Sequence, residues 1–287
     1  MKTMEVRLIA RADCPLSAKV YFSDEAGFEV ASVIVMGQND AILIDAQWTL
    51  SHAHRVIAEI LETGKNLRTI YLTHAHPDHY FGAGTIAAAF PGARVVAIPS
   101  EASIINKQFF GKIEHWENII GSHNVCRQTV TVEPLAHNHL ELEGERLEII
   151  PEVMGDMRYN TMVWIPCMKT LYASDVLFNQ AHPFTCELTA HERQQWIEDI
   201  HKIEALGAEI IIPGHQKPGM PFDQSSLDFT RDYLLATEEE LARHNDVAGF
   251  YYAMAERFPE ANLIHLSNEM NANVFKGGRD WNWRELE

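Results

Sequence analysis

A chain of 287 residues with 46% hydrophobic and 9% aromatic content can bury a large core and sits near the upper size of a single domain. Its 40 acidic residues against 23 lysines and arginines leave a formal charge of −17, which repels phosphate backbones and anionic lipid. Nucleic acid and membrane are therefore not expected partners, whereas a small-molecule substrate is. Cys14, Cys126, Cys167 and Cys186 lie far apart, form neither a C-x-x-C pair nor a disulfide framework, and read as reduced. Residues 1–12 mix charges with short apolar groups, unlike a signal peptide. No stretch approaches the ~20 apolar residues of a membrane helix. A cytoplasmic location is the expectation, or a periplasmic one if an export signal preceded this sequence.

In chain order, alternation and β-branched content predict strands over residues 6–9, 31–36 and 41–45, with turn chemistry at Gly37-Gln38-Asn39-Asp40. Leu50, Val56, Ile57, Ile60 and Leu61 recur at helical spacing, and Gly64 supplies a stop. A short buried strand over 69–72 then leads into Thr73-His74-Ala75-His76-Pro77-Asp78-His79. A small-residue helix over 80–90, closed by Pro91-Gly92, precedes a strand over 94–98 and a helix over 100–120. Strands are expected at 129–133, 146–150, 162–165 and 170–173, a helix over 189–206, and a strand over 209–212 ending in Pro213-Gly214-His215. Helices over 223–245 and 247–258 and a Gly- and Trp-containing tail at 275–283 finish the chain. The layout is mixed α/β in two rounds of strands and helices.

Three histidines and an aspartate within six residues, His74, His76, Asp78 and His79, point to metal, because imidazole and carboxylate are the preferred ligands of zinc and similar ions. In a loop leaving a strand, residues two apart can point the same way, so His74 and His76 could grip one ion while Asp78 and His79 turn to a second. Pro77 would stiffen the turn.

The run from Thr73 to Gly82 resembles the T-H-x-H-x-D-H-x-x-G signature of the metallo-β-lactamase-fold superfamily. Later landmarks of that family recur over residues 30–216. Asp175 in Tyr172-Ala173-Ser174-Asp175 matches the carboxylate that bridges two metals, and His215 matches the last histidine. Asp45 matches a buried aspartate that supports the metal loop. One landmark departs: Gly155-Asp156-Met157-Arg158-Tyr159-Asn160 carries aspartate where the family usually has its third metal-one histidine. The resemblance implies an αββα sandwich of two mixed β-sheets flanked by helices, over residues 1–220. A helical C-terminal extension, 221–287, would pack on the same domain as a cap or a homodimer face.

The resemblance further implies a cofactor of two divalent metal ions, zinc first, with iron or manganese as alternatives. His74, His76 and Asp156 would hold metal one, while Asp78, His79 and His215 would hold metal two and Asp175 would bridge them. Asp78 would also orient a metal-bound hydroxide for attack on a small ester, lactone, amide or thioester. Asp45 and Asn160 would support the ligands from behind. Tyr80, Arg158 and His182 are candidate substrate contacts, with Tyr159, Trp164, Phe184 and Trp116 as further substrate-side groups. Asp156 could instead hold only a water or a neighbouring ligand, and His137 and His139 form a second H-x-H. Two other functions compete: a mononuclear iron oxygenase of the same fold, and a non-catalytic metal-binding or sensor protein.

Overall fold

The computed structural model describes residues 4–279. Strands β1 (Glu5–Ala10), β2 (Ser17–Phe22), β3 (Ala31–Met36) and β4 (Asp40–Ile44) form an antiparallel meander. Every residue of β3 is buried, because Ile34 faces one apolar core while Val33 and Val35 face another. That two-sided burial explains an unbroken apolar run in an antiparallel strand.

Helix α1 (Leu50–Thr63) starts at Thr49, whose hydroxyl accepts from the His52 N–H, and stops at Gly64 in the left-handed region. It returns the chain so that β5 (Asn66–Tyr71) lies parallel to β4. Two short helices, α2 (Pro77–Tyr80) and α3 (Ala83–Ala89), replace the single helix expected over 80–90. The break falls at Gly82, which sits so near Ala46 that a Cβ there would stand 2.0 Å from the Ala46 carbonyl oxygen.

Strand β6 (Arg94–Ala97), helix α4 (Pro99–Ile120) and strand β7 (Glu133–Pro134) complete a seven-stranded sheet in sequential order. The strand expected over 129–133 is cut to its end. Asn106 accepts from the Val132 N–H and donates to the Val132 carbonyl, so those backbone groups are withdrawn from the ladder.

The second sheet holds β8 (His139–Leu142), β9 (Glu145–Val153), β10 (Asn160–Ile165) and β11 (Thr170–Asn179); after α5 (Ala190–Glu204) comes β12 (Ile210–Gln216). Its spatial order is β12-β11-β10-β9-β8, antiparallel except for the β11–β12 pair. Helices α6 (Ser225–Arg243) and α7 (Val247–Arg257), a π-helical turn at Ile264–Asn268 and α8 (Glu269–Lys276) follow. The tail read at 275–283 runs past the described residues.

The layers stack as α-β-β-α. One core lies between the sheets and joins Val20, Val33 and Ile42 to Leu147, Val163 and Ile212. A second packs α1, α3 and α4 on the first sheet, and a third packs α5, α6 and α7 on the second. Trp196 of α5, fully buried, donates its indole N–H to the Val176 carbonyl and so ties its helix to β11.

The expectation of four reduced cysteines needs correction. Cys14 and Cys167 form a disulfide with Cα atoms 5.2 Å apart, while Cys126 and Cys186 are free and buried. A separation of 153 residues hides such a pair from any spacing rule, because only the stacking of the sheets brings it together. Among the described residues no helix is long and apolar enough to cross a membrane.

Candidate metal centre

The centre lies at one edge of the sandwich, where chain from both sheets converges. From the first sheet come His74 and His76 in the loop after β5, and Asp78 and His79 on α2. The second sheet supplies Asp156 between β9 and β10, Asp175 within β11, and His215 within β12.

Asp45, just beyond β4, anchors the first loop. Its backbone is left-handed at φ 60°, a conformation that Asp tolerates better than most residues. Oδ1 accepts from the Thr73 N–H at 2.9 Å, and Oδ2 accepts from the Thr73 hydroxyl at 2.8 Å and from Tyr172 at 2.7 Å. The same Oδ2 lies 2.8 Å from His79 Nδ1. The carboxylate accepts a hydrogen bond from Nδ1–H and leaves Nε2 to face the centre. His215 is oriented in the same way by the Phe28 carbonyl, 2.6 Å from its Nδ1.

Two groups of four side chains each bring one ligand atom within 4.8 Å of the others: His74, His76, Asp156 and Asp175, and Asp78, His79, Asp175 and His215. Asp175 belongs to both. Its Oδ2 lies 3.0 Å from His215 Nε2 and 3.8 Å from His74 Nε2, and its Oδ1 is 3.1 Å from His79 Nε2. His76 Nδ1 approaches Asp156 Oδ2 at 2.7 Å, and Asp78 Oδ2 lies 3.2 Å from His215 Nε2.

These residues fit metal on the chemistry of their buried atoms. His74 Nε2, His79 Nε2 and Asp175 Oδ1 are buried without a hydrogen-bond partner among the described residues, although each costs free energy when left unpaired. His79 Nε2 and Asp175 Oδ1 are close in space yet do not align as a hydrogen bond, as expected of two atoms aimed at a common third.

Electrostatics agree. Burial and the neighbouring His79 hold His74 well below the usual imidazole range. His76 and His79 are pulled down by burial yet carried well above that range, His76 by Asp156 and Glu187 and His79 by Asp175, Asp45 and Asp78. His215 rises to about 10 against its burial because Asp175 and Asp78 face it. Burial lifts Asp156 to about 7. The carboxylates thus favour the charged form of His76, His79 and His215, and a cation bound here would compete with those protons.

Gly214 precedes His215, and a Cβ there would stand 1.9 Å from Asp175 Oδ1. Gly214→Ala should therefore push the shared carboxylate aside and cost about 1–3 kcal/mol of stability. Thermal unfolding and elemental analysis would show the lower melting point and reduced metal content together.

A cavity opens onto the centre. His76, Asp78, Asp156, Asp175 and His215 form its floor, while Phe28, Trp116, Phe178 and Phe184 give apolar walls. Leu263, Leu266, Ser267 and Met270, from the C-terminal extension, close the remaining side. Lys112 of α4 also lines it and donates to the Ala75 carbonyl within the metal loop at 3.0 Å.

Not every residue singled out from sequence reaches this cavity. Tyr80 is buried in the apolar core against Phe81 and Phe109 and does not line the cavity. Arg158 turns outward to pair with Glu192. His182 is buried against Tyr233, 3.0 Å from its hydroxyl, and burial lowers its pKa to about 4. Tyr159 is exposed, and Trp164 packs on the outer core of the second sheet. His137 and His139 stack on each other far along the chain from either ligand group and join neither. Asn160 does come to the centre, donating to Asp156 Oδ1 at 3.3 Å and to the Met157 carbonyl at 3.1 Å.

Sequence reading missed Glu187, whose Oε2 lies 2.8 Å from His76 Nε2. It also missed Lys112, Phe28 and Phe178, and the cap it expected of the C-terminal extension came without named residues. None of these carries a motif; a lysine and a glutamate placed among apolar neighbours, Phe109 to Ile113 and Cys186 to Leu188, were the available hints.

The fold has known counterparts. The chain matches uncharacterized protein YobT of Bacillus subtilis (strain 168) at 39% identity over 69 residues, 24% of this chain and 29% of YobT, so under a third of that relative's length is spanned. Metallo-beta-lactamase family protein TTHA1429 from Thermus thermophilus superposes with a TM-score of 0.62 at 17% identity, covering 95% of this chain and 92% of that one. The TMB-1 structure gives 0.60 at 20% identity, with 83% and 100% covered. FIM-1 from Pseudomonas aeruginosa, a metallo-beta-lactamase solved in a mono-zinc form, gives 0.55 at 16%, with 80% and 95% covered. At such identities these structures share the fold alone. The family model of the metallo-beta-lactamase superfamily matches residues 25–215, a span that holds every ligand candidate and more than half of the sequence, and the chain belongs to that superfamily.

Proposed function

We propose that this chain is a dinuclear, zinc-dependent hydrolase acting on a small ester, lactone, amide or thioester. The observation that carries the reading is Asp175, a single carboxylate common to both four-residue ligand groups. His74, His76 and Asp156 would hold one ion, and Asp78, His79 and His215 the other. When bound, two divalent ions ionise water near neutral pH and polarise the substrate oxygen.

The protein supplies position and exclusion of water. Phe28, Trp116, Phe178 and Phe184 favour an apolar body beside the centre. Asp78 lies in the cavity floor, 3.2 Å from His215 Nε2, where it can hold a proton and align an attacking water. Asp45, Asn160 and the Phe28 carbonyl keep the ligand side chains in place before substrate arrives.

Metal analysis together with turnover of an ester, lactone, amide and thioester panel tests the proposal. Two zinc equivalents with water-dependent turnover support it; iron with oxygen uptake overturns it, and two held metals without any turnover favour a sensor. Asp156→His tests the unusual ligand. A carboxylate on metal one opposes ionisation of the nearby water, so its replacement by neutral imidazole should lower the acidic limb of the kcat/KM profile by about one pH unit. An unmoved limb at full metal loading would place Asp156 outside the coordination.

A further inference from the structure

His76 is gripped from both sides. Nδ1 faces Asp156 at 2.7 Å, and Nε2 faces Glu187 Oε2 at 2.8 Å. Glu187 is nearly fully buried and lies outside both ligand groups. Since a carboxylate can only accept, it fixes the proton on Nε2 and reserves Nδ1 for the centre. Phe184 presents its ring edge-on to His76 at 6.0 Å, which further limits rotation of the imidazole.

The loop that delivers Glu187 has no regular structure of its own and is held from elsewhere. Asn271, fully buried on α8, accepts from the Thr185 N–H at 2.9 Å and the Cys186 N–H at 3.1 Å, and donates to the Pro183 carbonyl at 2.9 Å. One amide side chain thus satisfies three backbone groups of a five-residue segment. On the far side the Arg193 guanidinium donates to the Leu188 carbonyl at 2.5 Å. A chain of contacts therefore runs from Asn271 through residues 183–187 to His76. Its origin lies past residue 215, beyond the span matched by the family model.

We infer that Glu187 is a positioning residue for the metal-one ligand His76, and that Asn271 of the C-terminal extension holds it in place, so that this extension sets the affinity of metal one. The inference rests on the dinuclear reading and adds a determinant that acts on one site only. His79 and His215 donate their outer hydrogen bonds to Asp45 and to the Phe28 carbonyl, so metal two does not depend on this loop.

The test is titration of metal-stripped, full-length protein with zinc(II) against a competing chelator, read as two separate affinities. In Glu187→Ala one equivalent should weaken by about 10–100-fold while the other stays within about twofold. Glu187→Gln, which still accepts from Nε2–H, should recover most of that loss. Asn271→Asp keeps the acceptor for Thr185 and Cys186, and it should fall between wild type and Glu187→Ala. Two equivalents bound by Glu187→Ala as tightly as by wild type overturn the inference alone. Equal weakening of both equivalents, or no recovery in Glu187→Gln, also overturns it by assigning Glu187 a general structural role. Wild-type protein that binds fewer than two ions overturns the dinuclear reading, and this inference with it.

Discussion

Asp175→Ala should leave less than one tightly held metal ion per chain and reduce turnover of any substrate by about 1000-fold or more, the equivalent of several kcal/mol of lost transition-state stabilisation. No other residue of the centre is shared by both ligand groups. Loss of His74 or His215 removes one donor from one site; loss of Asp175 removes a donor from each. It also removes the anion that lies between His79 and His215, with separations of 3.1 and 3.0 Å. Asp175→Asn, similar in shape but neutral, should retain the fold and still lose metal. Elemental analysis after gel filtration would decide: two ions retained in Asp175→Ala would sink the bridging role.

A second large effect is expected at Asp45, this time on stability. Asp45→Ala removes the acceptor of the Thr73 N–H, the Thr73 hydroxyl, the Tyr172 hydroxyl and His79 Nδ1, all fully buried. Orphaned buried donors cost about 1–3 kcal/mol each, partly relieved by rearrangement. Alanine also tolerates the left-handed backbone at 45 less well than aspartate, at roughly 1 kcal/mol. A total near 3–5 kcal/mol is expected, in line with other broken buried networks. Urea unfolding in the presence of chelator isolates this from the contribution of metal. A change below about 1 kcal/mol would show that water or a neighbouring group takes over these donors.

The candidate ligands that lie close together in sequence are legible as a group because local geometry brings them together. A strand followed by His-x-His-Pro-Asp-His can hardly avoid turning several donors to one side. Asp175 and His215 were legible only through the resemblance, as was Asp156, whose register rests on Gly155 and Asn160. Most strands were found as well: the apolar run of β3 is readable whether one or both of its faces are buried. Strands β2 and β8 were missed, β8 because its exposed Glu141 breaks the apolar run and its first residue is one of the His137/His139 pair. Helix α8 was missed because its short amphipathic run finds its partners only in tertiary contact.

Glu187 was beyond reach for a different reason. Its importance lies in a meeting of residues 76, 187 and 271 that no local pattern encodes. Tyr80, Arg158 and His182 show the opposite relation of sequence to placement, since none of them lines the cavity. Each is near a ligand in sequence, but backbone direction turns Tyr80 into the core, and specific partners, Glu192 and Tyr233, claim the other two.

The candidate ligand atoms come from both layers of the sandwich, His74, His76, Asp78 and His79 from one and Asp156, Asp175 and His215 from the other. Ions held between them would act as rivets joining two plates. Part of their binding energy then becomes adhesion between the sheets, concentrated at the edge where the cavity opens. Stripped of metal, that edge would lose its rivets, and the seam should open there before either plate loses its own strands.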